Sequence, residues 1–277
     1  MKKAINTCVT LSLSFIVFLF LVGFTKPLGI ASYAVSYIAA FALPLLAFLT
    51  LVRNDREIET CKLSVSLSAS DARLFLPALL PSVALIILAS FITTLLFSVF
   101  GIRSTSALEG SLPTVFIIYA VVPALGEEIL FRYVPIRLIA PHSRKAALVV
   151  SASLFALVHV NLLQMPYAFV AGLVFAAVDL MTGSILPSVI LHLINNVLAV
   201  LWQLYGWSDW LIYLFIPLAV LTAASIVFLT VKRKAYVERL KSLWHGELSF
   251  TRTFTVFTIL AVAYAAFTVS YTFINSK

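Results

Sequence analysis

Residues 113–139 read PTVFIIYAVVPALGEEILFRYVPIRLI, a run long enough to cross a bilayer that carries two adjacent glutamates, Glu127 and Glu128, with Arg132 four residues after the second. A charged side chain near the bilayer centre costs about 3 kcal/mol on insertion scales and faces a bundle interior or a water-filled cavity. This run therefore reads as one span of a larger helical assembly, in which its polar residues find partners. The fold class that follows is all-α, a polytopic integral membrane bundle.

Composition extends that reading to the whole chain. Of 277 residues, 62% are hydrophobic and 11% charged, against roughly 25% charged in an ordinary soluble domain. The net charge of +8 does not indicate nucleic acid, because the basic residues lie between apolar runs and form no stripe along a helix. Cys8 and Cys61 belong to no Cys-x-x-Cys or Cys/His pattern, so neither a zinc site nor a disulfide framework is indicated. The apolar run from Cys8 to Phe24 follows Lys2 and Lys3, exceeds a signal-peptide core and has no small-residue cleavage site before Lys26. It is expected to be a retained first span.

Spans of about 20 apolar residues are expected near 5–24, 28–52, 74–100, 113–138, 146–163, 167–183, 185–205, 210–231 and 253–274, giving about eight or nine transmembrane helices. With a cytoplasmic amino terminus, fifteen Lys and Arg residues fall in inner segments and only Lys26, Arg103 and Lys277 outside, in keeping with the positive-inside rule. Trp202, Tyr205, Trp207, Trp210 and Tyr213 gather at the outer end of the seventh and eighth spans, where aromatic rings anchor at headgroup level. The basic stretch 232–252 has Val237, Leu240, Leu243 and Trp244 at helical spacing, as in an interfacial helix, although a charged loop fits equally. In the connection 53–73, Leu63, Val65 and Leu67 alternate with serines, which suggests a short extended piece. No internal repeat is visible, and residues 1–277 read as a single integral membrane domain of a bacterial or archaeal-type cell membrane.

Few strongly polar residues lie inside the spans: Glu127, Glu128, Arg132, His159, Asp179, His192, Asn195 and Asn196. Glu128 and Arg132 share a helix face, whereas Glu127 is rotated by about 100°. One glutamate can therefore pair while the other acts as general acid or base. His192 and Asn196 are four apart on one face, and Asn195 lies near it. At 1.5 Å per residue, Glu127, His159, His192 and Asn196 all lie roughly 12 to 20 Å from the inner ends of their spans. A carboxylate, two imidazoles and a carboxamide thus reach a similar depth. Asp179, near the inner end of its span, is expected to snorkel or pair with a loop residue and is left out of the site. His142 and His245 fall in loops.

Glu127, Glu128 and Arg132 as Glu-Glu-x-x-x-Arg, Phe155 and His159 as Phe-x-x-x-His, and His192 and Asn196 as His-x-x-x-Asn together resemble the CPBP family of intramembrane proteases. That family includes the type II CAAX prenyl endopeptidases and the bacteriocin-processing or self-immunity proteins. The resemblance covers residues 113–200 and implies a hydrolase cutting peptide bonds of membrane-associated substrates, with the lipid bilayer as its setting. It implies that Glu127 and His159 activate water, that His192 and Asn196 stabilise the oxyanion or bind metal, and that Glu128 and Arg132 position the site. Family members are often called metalloproteases. Glu127, His159 and His192 would be the candidate ligands of a divalent metal such as zinc, which the sequence permits without requiring. The zinc signature His-Glu-x-x-His and the serine elbow Gly-x-Ser-x-Gly are both absent. The alternatives are a non-catalytic membrane scaffold or immunity factor, and a proton-coupled transporter.

Overall fold

The computed structural model describes the chain apart from residues 25–28, 55–58, 100–107, 109, 206–219, 221, 228–232 and 276–277. In chain order its helices are α1 (Lys2–Gly23), α2 (Ile30–Asn54), α3 (Ala69–Val99), α4 (Leu112–Ile139), α5 (Arg144–Leu157), α6 (Met165–Thr182), α7 (Leu186–Tyr205), α8 (Arg233–Ser242) and α9 (Arg252–Asn275). Among the described residues, α1, α2, α3, α4, α6, α7 and α9 are long and apolar enough to cross a membrane. The chain is an integral multi-pass membrane protein with a helical bundle fold.

The span count departs from expectation in two places. The span expected at 146–163 is α5, whose 14 residues reach about 21 Å at 1.5 Å per residue, short of the roughly 30 Å hydrocarbon core. The helix stops for a local reason. The N–H groups of His159 and Val160 tighten onto the carbonyls of Ala156 and Leu157, and Val160 then takes φ of 46°, a left-handed conformation that a β-branched residue rarely adopts. The Asn161 side chain accepts the Leu163 N–H at 2.9 Å and turns the chain into α6. The span expected at 210–231, with Trp207, Trp210 and Tyr213, lies largely outside the described residues.

Helix α4 is shaped by its prolines. Two π-helical turns, Ile117–Val121 and Ile129–Tyr133, end just before Pro123 and Pro135. Proline lacks the N–H that would bond four residues back, and the neighbouring N–H groups reach five back instead: Val122 to Ile117, and Val134 to Ile129. The Phe131 carbonyl, which Pro135 cannot serve, accepts the hydroxyl of Ser151 from α5. The missing bond is thereby replaced by a tie between helices.

Helices α5 and α6 pack closely because Gly172 faces Ala152. A Cβ on residue 172 would lie 2.9 Å from the Ala152 Cα, and small residues of this kind are what allow membrane helices to approach. Gly183, at φ of 68°, closes α6 by donating its N–H to the Asp179 carbonyl at 2.7 Å. At this end of the bundle Arg144 donates to the Leu180 carbonyl at 2.6 Å, and Arg239 donates to the Met181 carbonyl and to Asp71. The free carbonyls of α6 thus meet cations, as the helix dipole favours. A strap before α3 pairs Ser64 with both Gly183 and Ile185, and Cys61 with Arg137. Leu63 on the strap and Leu243 after α8 are buried against Ile136, Leu148 and Leu180.

Candidate active site

The two glutamates of α4 meet one histidine of α7. His192 Nδ1–H donates to Glu128 Oε1 at 2.7 Å, while its Nε2 lies 3.8 Å from Glu127 Oε2. Expectation placed Glu127 opposite His159, yet the imidazole at ion-pair distance is His192. Glu128 is fully buried, whereas the Glu127 side chain keeps 13% of its surface open. Gly126, just before the pair, lets the Phe41 ring close over α4, because a Cβ there would sit 2.5 Å from its Cγ. Phe41 packs on Phe15 at a tilt of 34°, and Phe15 meets Phe131 edge-on.

Arg132 is completely buried, and its Nε lies 3.5 Å from Glu128 Oε2. The intervening π-turn displaces the two side chains from ideal i,i+4 alignment, and the contact is an ion pair without a hydrogen bond. The guanidinium carbon lies over two aromatic rings, 4.1 Å from the Phe155 centroid and 5.3 Å from that of Phe175. This explains the aromatic residue in Phe-x-x-x-His. The Phe155 ring carries Arg132 and meets the edges of both His159 and His192 at centroid distances of 5.0 and 5.5 Å.

His159 sits just past the end of α5, in the turn that replaced the expected helix. Its Nδ1 lies 2.7 Å from the Phe155 carbonyl. A carbonyl can only accept, so Nδ1 carries a proton, and in the neutral tautomer with that proton the lone pair is on Nε2. No ion pair joins His159 to either glutamate among the described residues. On α7, Asn195 Nδ2 donates to Asn196 Oδ1 at 3.2 Å. Asn195 thus orients Asn196, whose own amide N–H groups stay available.

Residues 109–198 match the family model described as Rce1-like, type II CAAX prenyl endopeptidase Rce1-like. This core, 90 of the 277 residues, is similar to that family. It runs from the approach to α4 into α7 and contains every residue of the three motifs. No curated protein and no solved structure matches the chain.

Within the Rce1-like core, the candidate metal ligands Glu127, His159 and His192 do not form a cage. No group of three His, Cys, Asp or Glu side chains suited to a metal occurs among the described residues. The structure also brings in two residues that the sequence reading left aside. Asp179 does not snorkel: it is fully buried and accepts from Ser188 N–H at 3.1 Å and from Ser188 Oγ at 2.7 Å. The available signal was a lone acidic residue on a helix with no other charge, MPYAFVAGLVFAAVDLMT.

Proposed function

We propose that the chain is an intramembrane endopeptidase that hydrolyses a peptide bond of a membrane-associated substrate. The observation that carries this reading is the clamping of one imidazole, His192, between Glu127 and Glu128 at the centre of an Rce1-like core. Glu127, the more open carboxylate, takes a proton from water, and His159 Nε2 accepts a hydrogen bond from the same water. The resulting hydroxide oxygen attacks the carbonyl carbon, and the electron pair of the C=O bond moves to oxygen. His192, with Nδ1–H committed to Glu128, donates Nε2–H to that oxyanion as the imidazolium, whose charge Glu128 balances. Asn196 supplies a second donor. Glu127 then delivers its proton to the leaving amine as the C–N bond breaks. A positioned base contributes roughly 10²- to 10⁴-fold, and one oxyanion donor about 3 to 4 kcal/mol.

The family description makes a prenylated carboxy-terminal peptide the first substrate to try. Purified wild type, Glu127→Gln and His159→Ala would be compared in proteoliposomes, with products mapped by mass spectrometry and bound metal measured on the same preparations. Glutamine preserves the size of Glu127, so Glu127→Gln should fold normally and lose at least about 100-fold in rate. Full cleavage by either variant would sink the assignment.

A further inference from the structure

The geometry points to Asp179 and Ser188 as positioning residues of the active site, which fix the rotation of α7 and thereby hold His192 against Glu128. The kinetic consequence rests on the peptidase reading; the geometric one does not.

Asp179 is the only charge on α6 and is wholly buried. Burial of a carboxylate is unfavourable unless its oxygens are bonded and its charge is balanced. Both oxygens are used by one residue, since Ser188 N–H donates to Oδ1 and Ser188 Oγ to Oδ2. Ser188 lies in the first turn of α7, where backbone N–H groups have no partner within the helix. Asp179 therefore caps α7 from the neighbouring helix, giving one of those N–H groups an acceptor.

Ser188 and His192 are four residues apart and share a face. The cap and the imidazole are thus set by the same rotation of α7, and His192 Nδ1 falls 2.7 Å from Glu128. Turn closure does not account for the Asp179 side chain. The α6–α7 turn is already held by Gly183 N–H on the Asp179 backbone carbonyl and by the pairing of Ser64 with Gly183 and Ile185. A carboxyl group on α6 thus caps the helix that carries His192.

The test combines histidine-selective ¹⁵N NMR with kinetics on the full chain in one detergent. It compares wild type, Asp179→Asn and Ser188→Ala, with thermal unfolding to verify the fold. Ser188→Ala removes one hydroxyl and is the variant that decides if Asp179→Asn does not fold. The His192 Nδ1–H signal is expected to move upfield in each folded variant, while kcat falls on the order of 100-fold and KM stays near the wild-type value. A signal left in place in folded Ser188→Ala overturns the proposal. If wild type cleaves nothing, the peptidase reading fails and the NMR signal alone decides the positioning role.

Discussion

Arg132 gives the sharpest test of how the buried charges support one another. Its guanidinium has no exposure, lies 3.5 Å from Glu128 Oε2 and rests 4.1 Å from the Phe155 centroid. Arg132→Met removes the cation and leaves Glu128 buried without its partner, a loss that typically costs about 3 to 5 kcal/mol. The same change forfeits a desolvated cation–π contact of about 2 kcal/mol. Glu128→Gln made in the same chain removes the orphaned charge while retaining an acceptor for His192 Nδ1–H. Glu128→Gln alone strands the Arg132 charge in the same way, whereas the double variant keeps only the cation–π loss, so the cycle should show a favourable coupling of at least about 3 kcal/mol. For a soluble domain of similar size, each kcal/mol moves Tm by about 2 to 4 °C. On that scale the double variant should melt at least about 6 °C above the value expected from adding the two single shifts. Thermal unfolding of all four proteins in one detergent measures the cycle. Additive shifts would show that Glu128 and Arg132 are energetically independent and would refute the claim that one charge supports the other.

Three further outcomes follow from separate parts of the structure. Gly172→Val places side-chain atoms against the Ala152 backbone, 2.9 Å from the position of the first carbon, and should cost about 1 to 3 kcal/mol in thermal unfolding while weakening cleavage by displacing α5. Val160 holds φ of 46°, a strain of about 1 to 3 kcal/mol, so Val160→Gly should leave Tm unchanged or higher; a clear fall would mean that the Val160 side chain is worth more than the strain. Burial pushes the Cys61 thiol above its ordinary pKa, and its Sγ lies 3.4 Å from the Ile136 carbonyl. The thiolate fraction at any pH below that raised value is thereby reduced, so maleimide labelling of Cys61 in a Cys8→Ser background should be slow near neutral pH and accelerate on unfolding.

Much of the bundle was legible because lipid imposes a single rule, about 20 apolar residues per crossing, and α1, α2, α3, α4, α6, α7 and α9 obey it. α5 escaped the rule because the cause of its ending is conformational. The four aliphatic residues of 158–163 let the apolar run continue past Leu157, and the positive φ of Val160 with the Asn161 turn is what leaves His159 outside a helix. The membership of the charged cluster was legible from cost, since Glu127, Glu128, Arg132 and His192 are all expensive to bury and all come together. The Glu128–Arg132 pair was legible from its spacing of four, whereas the seating of His192 between the two glutamates was not. It depends on π-turns before Pro123 and Pro135, whose register shift no i,i+4 rule anticipates, and on the rotation of α7 against α4. Asp179 was misplaced for a related reason: proximity to a helix end suggested solvent, whereas the start of the next helix covers it.

The adjacency of Glu127 and Glu128 then acquires a physical explanation. Successive residues on a helix point about 100° apart, which on sequence grounds separated a paired glutamate from a free one. The same splay lets neighbouring carboxylates take opposite edges of a single ring, Glu128 at Nδ1 and Glu127 at Nε2. Glutamates four apart would share a face and compete for one edge, bringing like charges together. Adjacent ones divide the imidazole between them, and only Glu128 needs Arg132 as a permanent counter-charge. Glu127 retains some exposure and lies next to the nitrogen that faces the oxyanion in the proposed reaction. Under the proposed reaction, two carboxylates of the same chemistry take different tasks, Glu128 holding the ring and Glu127 moving the proton.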